Sequence, residues 1–229
     1  MFNSVKKFIF KDIVLEIKDI RSLQHLRTVH SEYVPWTGAS IHPTALLYLL
    51  NDITIHKRKH VVECGSGIST IYIASLIKQL PQNITFHSID HDENWLSVVQ
   101  NNLKEHNLEN FVDLIHAPLT DQNNNFNRVE AWYDTNVLEK RINGNKIDLL
   151  FIDGPPANEN NHSYVRYPAV PYFKSKLSDH FAIILDDACR KGEQLIAEKW
   201  EQECGLSFTE SILKGNISVA SRGNKYNVL

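Results

Sequence analysis

The chain has 229 residues, 42% of them hydrophobic and 22% charged, with a formal net charge of −3 at pH 7. That length suits one domain with a large core. The charge leaves no electrostatic case for nucleic acid or an anionic membrane as the main partner, and no apolar run approaches the roughly 20 residues that cross a bilayer. At the N-terminus, Lys6 and Lys7 precede only Phe8-Ile9-Phe10, too short for a signal-peptide core. Cys64, Cys189 and Cys204 have no metal-type spacing, and their odd number does not read as a disulfide framework. The expected setting is reducing and cytoplasmic, with the oligomeric state open.

No internal repeat is present. Residues 14–55 read as a helical lead-in, within which Pro43 opens a good helix through Leu50. The expected division is a lead-in over 1–55, packed on the core, and one globular unit over 56–229. From there strand-like apolar runs alternate with helical patterns, which predicts an α/β fold with a parallel sheet. The first strand is His60–Glu63, followed by a helix over about 69–80 that stops before Pro81. A second strand is expected at Ile84–Asp90, a helix from Glu93 to Leu103, and a third strand at Val112–His116. Residues 119–128, rich in Asn and Asp, read as a polar loop. Strands follow at Ile147–Asp153, stopped by Gly154-Pro155-Pro156, and at Phe181–Asp187. A helix over Glu193–Glu203 and a closing hairpin, Leu206–Leu213 with Ile217–Ser221, complete the chain.

The most informative stretch is Val61-Val62-Glu63-Cys64-Gly65-Ser66-Gly67-Ile68-Ser69-Thr70. A buried strand, a tight turn and a helix start are compressed into ten residues. Glycines let the backbone approach a ligand closely, and the free amides of a helix N-terminus suit a polar or anionic group. This predicts a nucleotide-like cofactor at the carboxyl end of a parallel strand. Four strands also end in acids: Glu63, Asp90, Asp153, and the pair Asp186 and Asp187. In a parallel sheet those ends share one edge, so the acids are expected to converge on one cleft. Asp90 lies where an acid accepts hydrogen bonds from ribose hydroxyls in dinucleotide folds. The alternative is that it caps the helix beginning near Glu93. The position of a third glycine in the dinucleotide fingerprint is occupied by Thr70, which argues against a nicotinamide or flavin enzyme.

The ordered motifs Glu63-x-Gly65-x-Gly67-x-Ser69-Thr70, Ser88-Ile89-Asp90-His91-Asp92, Phe151-Ile152-Asp153-Gly154-Pro155-Pro156 and Leu185-Asp186-Asp187-Ala188 resemble those of class I S-adenosylmethionine-dependent methyltransferases. The nearest likeness is to a bacterial group of small-molecule methyltransferase-like proteins distantly similar to catechol O-methyltransferase. It covers about residues 35–221. The resemblance implies a Rossmann-like, seven-stranded, mostly parallel sheet with an antiparallel last strand and helices on both faces. It implies that Glu63, Gly65 and Gly67, with Ser66, Ser69 and Thr70 in the same motif, cradle the methionine part of S-adenosylmethionine. Asp90, with His91 beside it, would bind the ribose, and Ala117 and Pro118 would lie by the adenine. Asp153 would be shared between cofactor and catalysis.

In catechol-type enzymes acids at two strand ends hold a divalent ion, and Asp153, Asp186 and Asp187 match those positions by motif order. Three carboxylates facing one cleft repel unless a cation or proton lies between them, and oxygen donors suit Mg2+ or a similar ion. Equally, Asp186 and Asp187 can pair with Arg166 and Arg190 while Asp153 orients the turn at Gly154. The two arginines could instead clamp an acidic substrate. The lysine that follows the first acid in catechol-type enzymes is missing here. His162, Tyr164 and Asp187 are the candidate bases, with His162 preferred because its ordinary pKa is near neutrality. Trp36, Trp132 and Tyr133 either wall a substrate pocket or pack in the core. The expected function is methylation of an oxygen on a small-molecule or sugar-like acceptor. The alternative is a non-methylating or catalytically idle cofactor-binding protein of the same fold.

Overall fold

The structure, a computed structural model, describes residues 2–123, 129–144, 146–157, 164–211, 214–224, 226 and 228. Two helices, α1 (Phe2–Leu26) and α2 (Pro43–Ile55), precede the sheet and pack on each other. The lead-in helix thus begins well before residue 14. Leu26, Leu46, Leu49 and Ile53 share one apolar cluster with Val61 and Leu149 of the sheet.

The first half of the sheet is a βαβαβ run: β1 (His60–Cys64), α3 (Ile68–Gln79), β2 (Thr85–Asp90), α4 (Glu93–Glu105) and β3 (Asp113–His116). Next come β4 (Leu119–Asn123) and β5 (Val129–Tyr133), an antiparallel pair outside the main sheet. The expected loop over 119–128 is corrected there: its first five residues are β4, held by pairing with β5, while 124–128 lie outside the described residues. The chain continues with α5 (Thr135–Arg141), β6 (Ile147–Ile152), α6 (Ala169–Phe173), β7 (Leu177–Leu185), α7 (Lys191–Cys204), β8 (Thr209–Ser211) and β9 (Ile217–Arg222). The short helices α5 and α6 have too little periodic sequence to be anticipated.

The seven-stranded sheet runs β3-β2-β1-β6-β7-β9-β8. The first five strands are parallel, and β9 runs antiparallel to β7 and to β8. The fold is therefore Rossmann-like with an antiparallel closing strand, as expected. The central strands are buried on both sides, which explains their near-continuous apolar sequence. Side-chain alternation divides the core: Leu149 and Phe151 of β6 pack on one face with α2 and α3, while Leu150 and Ile152 pack on the other with Trp132, Phe173 and Trp200. Strand order reverses between β1 and β6. A crevice at such a switch point, outside the carboxyl ends of the strands, is where open α/β sheets bind ligands.

Candidate active site

A cleft of about 680 Å³ opens at that point. Its floor is the turn after β1. Gly65 has φ +96°, and a Cβ there would lie 2.9 Å from the carbonyl carbon of Asp153. Gly154 is equally constrained, since its Cβ would lie 2.8 Å from Gly65 Cα. The two turns therefore meet backbone to backbone. A Cβ on Gly67, by contrast, would meet nothing within 4 Å. That open space faces the start of α3, so the backbone there is accessible to a ligand.

Asp90 organises the turn. Its Oδ2 accepts from Ser66 N at 2.9 Å and its Oδ1 from Asp92 N at 3.0 Å. A carboxylate offers about four acceptor sites, so two remain for hydroxyl groups in the cleft. The capping alternative falls to Asp92, whose carboxylate accepts from Asn94 N and Trp95 N at the start of α4. Trp95, which carries no motif in the sequence, donates from Nε1 to Ser66 O at 2.8 Å and lines the cleft.

Glu63 lies elsewhere. It sits one residue inside β1, so its side chain points off the sheet face rather than out of its end. Its Oε2 accepts from Thr70 Oγ1 and Ser88 Oγ, each at 2.6 Å, and Thr70 Oγ1 in turn accepts from Gly67 N at 2.9 Å. Burial pushes the Glu63 carboxyl up to about 7, against the pull of the surrounding hydroxyls. Glu63 and Thr70 therefore brace the turn from below without lining the cleft. Two fully buried atoms nearby, Glu63 Oε1 and Tyr133 Oη, have no hydrogen-bond partner among the described residues.

At the other end of the cleft, Asp153 follows β6 and Asp186 and Asp187 follow β7. One oxygen from each lies within 4.8 Å of the others. Arg166, 3% exposed, threads between them. Its Nη2 is 3.0 Å from Asp153 O and 3.2 Å from both Asp153 Oδ1 and Asp187 Oδ2. Its Nη1 donates to Asp186 O at 3.3 Å and faces Glu193 Oε1 at 3.8 Å. Arg190 Nη1 meets Asp187 Oδ2 at 2.8 Å. Of the expected pairings, Asp187 makes both, with Arg166 and with Arg190, whereas Asp186 meets Arg166 only through its backbone carbonyl and Asp153 takes its place beside Arg166. Burial, reinforced by Asp186 and opposed by Arg166, holds the Asp153 carboxyl well above its usual range. Burial and the neighbouring Asp187 push Asp186 up to about 7. Asp187 adopts φ +58°, an uncommon conformation for a residue with a Cβ. Four carboxyl groups face two guanidinium groups here, so all four can ionise together only if further positive charge enters; otherwise protons are retained, as the raised Asp153 and Asp186 carboxyls show. Three hard oxygen donors within 4.8 Å of one another, able to exchange those protons for positive charge, fit a divalent cation.

Of the residues expected at the site, Gly65, Ser66, Gly67, Ser69, Asp90, His91, Asp153, Asp186 and Asp187 share the cleft. His91 Nδ1 lies 3.1 Å from Asp90 Oδ1. Ala117 is buried beside β3, and Pro118 is exposed; neither lines the cleft. His162 lies outside the described residues. Tyr164 packs against the core cluster of Trp132 and Phe173 rather than the cleft. Trp132 is core, edge-on to Phe173, whereas Tyr133 reaches the cleft wall. Trp36 stacks edge-on with Tyr72 and is flanked by the cleft residues Pro35 and Thr37. Those two belong to the loop joining α1 to α2, which contributes part of the cleft lining.

The parallel sheet with its antiparallel closing strand, and the glycine turn and Asp90 at its switch point, define a class I S-adenosylmethionine-dependent methyltransferase. Residues 62–188, more than half of the chain, match the family model described as "Methyltransferase domain", and the chain belongs to that family. No curated protein matches the sequence. Among solved structures, a putative O-methyltransferase from Klebsiella pneumoniae is 19% identical with a TM-score of 0.57, the match covering 96% of this chain and 97% of that one. The O-methyltransferase from Bacillus cereus in complex with SAH (S-adenosylhomocysteine) is 16% identical with a TM-score of 0.55, covering 90% of each chain. TomG from Streptomyces achromogenes, an O-methyltransferase of tomaymycin synthesis in complex with SAM (S-adenosylmethionine), is 16% identical with a TM-score of 0.55, covering 89% of this chain and 90% of that one. At such identities the likeness is one of fold. No helix among the described residues is long and apolar enough to cross a membrane.

Proposed function

We propose that the protein transfers the methyl group of S-adenosylmethionine to an oxygen of a small, hydroxylated or sugar-like acceptor, with a divalent cation held by Asp153, Asp186 and Asp187. One observation carries the reading: the glycine turn with Asp90 and the acid trio open into a single cleft. The SAM and SAH complexes of the structural neighbours support the cofactor half.

In this reading Asp90 offers its two remaining acceptor sites to the ribose hydroxyls. The backbone of Gly65 and Gly67 takes the methionine part, where a Cβ is excluded at Gly65 and the space is open at Gly67. Tyr133 Oη and the amides at the start of α3 add donors. When bound, the sulfonium cofactor supplies an electrophilic methyl group, and the cation supplies positive charge that orders acceptor oxygens and lowers a hydroxyl's pKa. The chain's own task is to hold nucleophile, methyl and sulfur in line and to accept a proton. Asp187, tied to Arg166 and Arg190, is engaged in holding the acid end together. Within the lead-in over residues 1–55, the loop joining α1 to α2 lines the same cleft, and the odd count of cysteines without metal-type spacing suits a reducing, cytoplasmic setting.

Isothermal calorimetry with SAM and SAH tests the reading. Micromolar binding of both is expected, and a flat titration of folded protein would reject the cofactor. Magnesium or manganese should raise the melting temperature or the methylation rate; if neither changes, the metal is removed from the account. Binding without any methyl transfer would favour the idle alternative.

A further inference from the structure

The lead-in helices bring a second ionisable pair to the cleft. His42 is the N-cap residue of α2, and no side chain of its own segment caps that helix. The carboxylate comes instead from α1. Asp19 Oδ1 accepts from Thr44 N at 2.8 Å, and Asp19 Oδ2 lies 2.9 Å from His42 Nδ1. An acid is favoured at a helix N-terminus by the free amides and the helix dipole, so Asp19 is anchored by the fold. The same carboxylate then selects the imidazole tautomer that carries hydrogen on Nδ1. That leaves Nε2 as the ring atom able to accept a proton.

The burial of the two groups matches those roles. The Asp19 side chain is 11% exposed and that of His42 is 42% exposed. His42 lines the same cleft as Gly67, Asp153 and Asp186. The charged groups facing it are Asp19 and Glu16 from α1 and Asp186 from the end of β7. The hydrogen bond from Asp19 raises the His42 pKa, burial opposes it, and the charges of Asp19, Asp186 and Glu16 add to the rise. A buried acid that holds one ring nitrogen of a cleft-lining histidine and leaves the other to accept a proton is an arrangement suited to general-base catalysis.

We propose that His42, oriented by Asp19, accepts the proton of the acceptor hydroxyl during methyl transfer. This rests on the O-methylation reading above. The acceptor O–H bond breaks, its proton passes to His42 Nε2, and its electron pair forms the new O–CH3 bond. The S–CH3 bond breaks with its pair retained by sulfur, so the sulfonium charge is lost and the imidazolium carries the proton away. In this scheme Asp19 is a positioning residue and His42 the catalytic one.

The test uses the full chain with magnesium, labelled S-adenosylmethionine and a panel of catechols and sugar hydroxyls. His42→Asn should lose about 100-fold or more in kcat while SAH affinity stays within about twofold. Added imidazole should restore part of the rate in His42→Gly. Asp19→Asn should move the acidic limb of the kcat profile to lower pH, with the same direction of change in the His42 titration followed by NMR. Unchanged kcat and pH profile in His42→Asn would overturn the assignment. Equal losses of SAH binding and activity without imidazole rescue would overturn it too, by making the pair structural. A wild-type chain that binds SAH but methylates nothing in the panel would overturn the O-methylation reading, and this assignment with it.

Discussion

The two ends of the cleft are built by opposite means. At the glycine turn, backbone supplies the shape. Gly65 and Gly154 touch, Asp90 ties Ser66 and Asp92 through their amides, and Glu63 braces the turn through hydroxyls. All of these residues belong to two strand–turn–helix units and the turn after β6. At the acid end, side chains from separate segments supply the shape. Asp153, Asp186, Asp187 and Glu193 are held together by Arg166, which arrives from a segment between β6 and α6. The first end is set by backbone contact and by hydrogen bonds from amides and hydroxyls to Asp90 and Glu63. The second is a balance of charges, stable only while each is answered. A steric site tolerates no added atom, whereas an electrostatic site tolerates no lost charge.

That contrast is open to direct attack. The largest effect is expected at Arg166. Arg166→Met leaves the buried carboxylates without their resident cation, so stability should fall by about 3–5 kcal/mol in chemical denaturation. Magnesium should recover part of that loss; no recovery would mean that the trio does not bind the ion. Gly65→Val places a Cβ 2.9 Å from backbone at a left-handed φ. It should cost about 2–4 kcal/mol and abolish SAH binding in calorimetry, and near-normal binding would break the steric account of the turn.

Glu63 sharpens the comparison through pH. Its folded pKa, about 7, lies above its ordinary 4.5, so the folded state holds the proton more tightly than the unfolded one. This favours folding fully below about pH 4.5 and is lost as pH rises toward 7. Glu63→Gln should therefore gain on the wild type between pH 5 and 8, by up to roughly 3 kcal/mol, as urea denaturation at several pH values would reveal. A constant difference across that range would contradict the buried-carboxyl account. The smallest effect is expected at Asp90→Ala, which removes acceptors for Ser66 and Asp92 as well as for the ligand. SAH affinity should fall by about 10–100-fold, with melting only modestly lowered. Unaltered affinity would remove Asp90 from the cofactor site.

Much of this architecture was legible in the residues. The apolar runs of β1 and β6 end in turn residues, and Asp90, Asp153 and Asp186 stand at strand ends where a parallel sheet must gather them. Other features were hidden because their signal is not local. Glu63 shares the acid pattern of the other strand ends, but one residue of extra strand turns its side chain onto the sheet face. Residues 119–123 look like loop by composition, yet pairing with β5 makes them a strand. Trp95 reads as an exposed helix residue until its indole is seen pinning Ser66. His42 carries no motif: only its pairing with Asp19, on a different helix, marks it out. Arg166 could be read as surface clamp or buried partner, and the fold chose the second.

By itself, then, the sequence determined the alternation of strands and helices, the tight turn at Gly65 and the set of acids at the strand ends. Each of these depends on periodicity or on backbone sterics within about ten residues. The tertiary structure alone decided which acids face the cleft, where their compensating charge comes from, and that the loop joining the lead-in helices lines the site. The reason is range. Side-chain alternation and glycine dihedrals are written residue by residue, whereas a buried charge finds its partner only after the chain has closed around it.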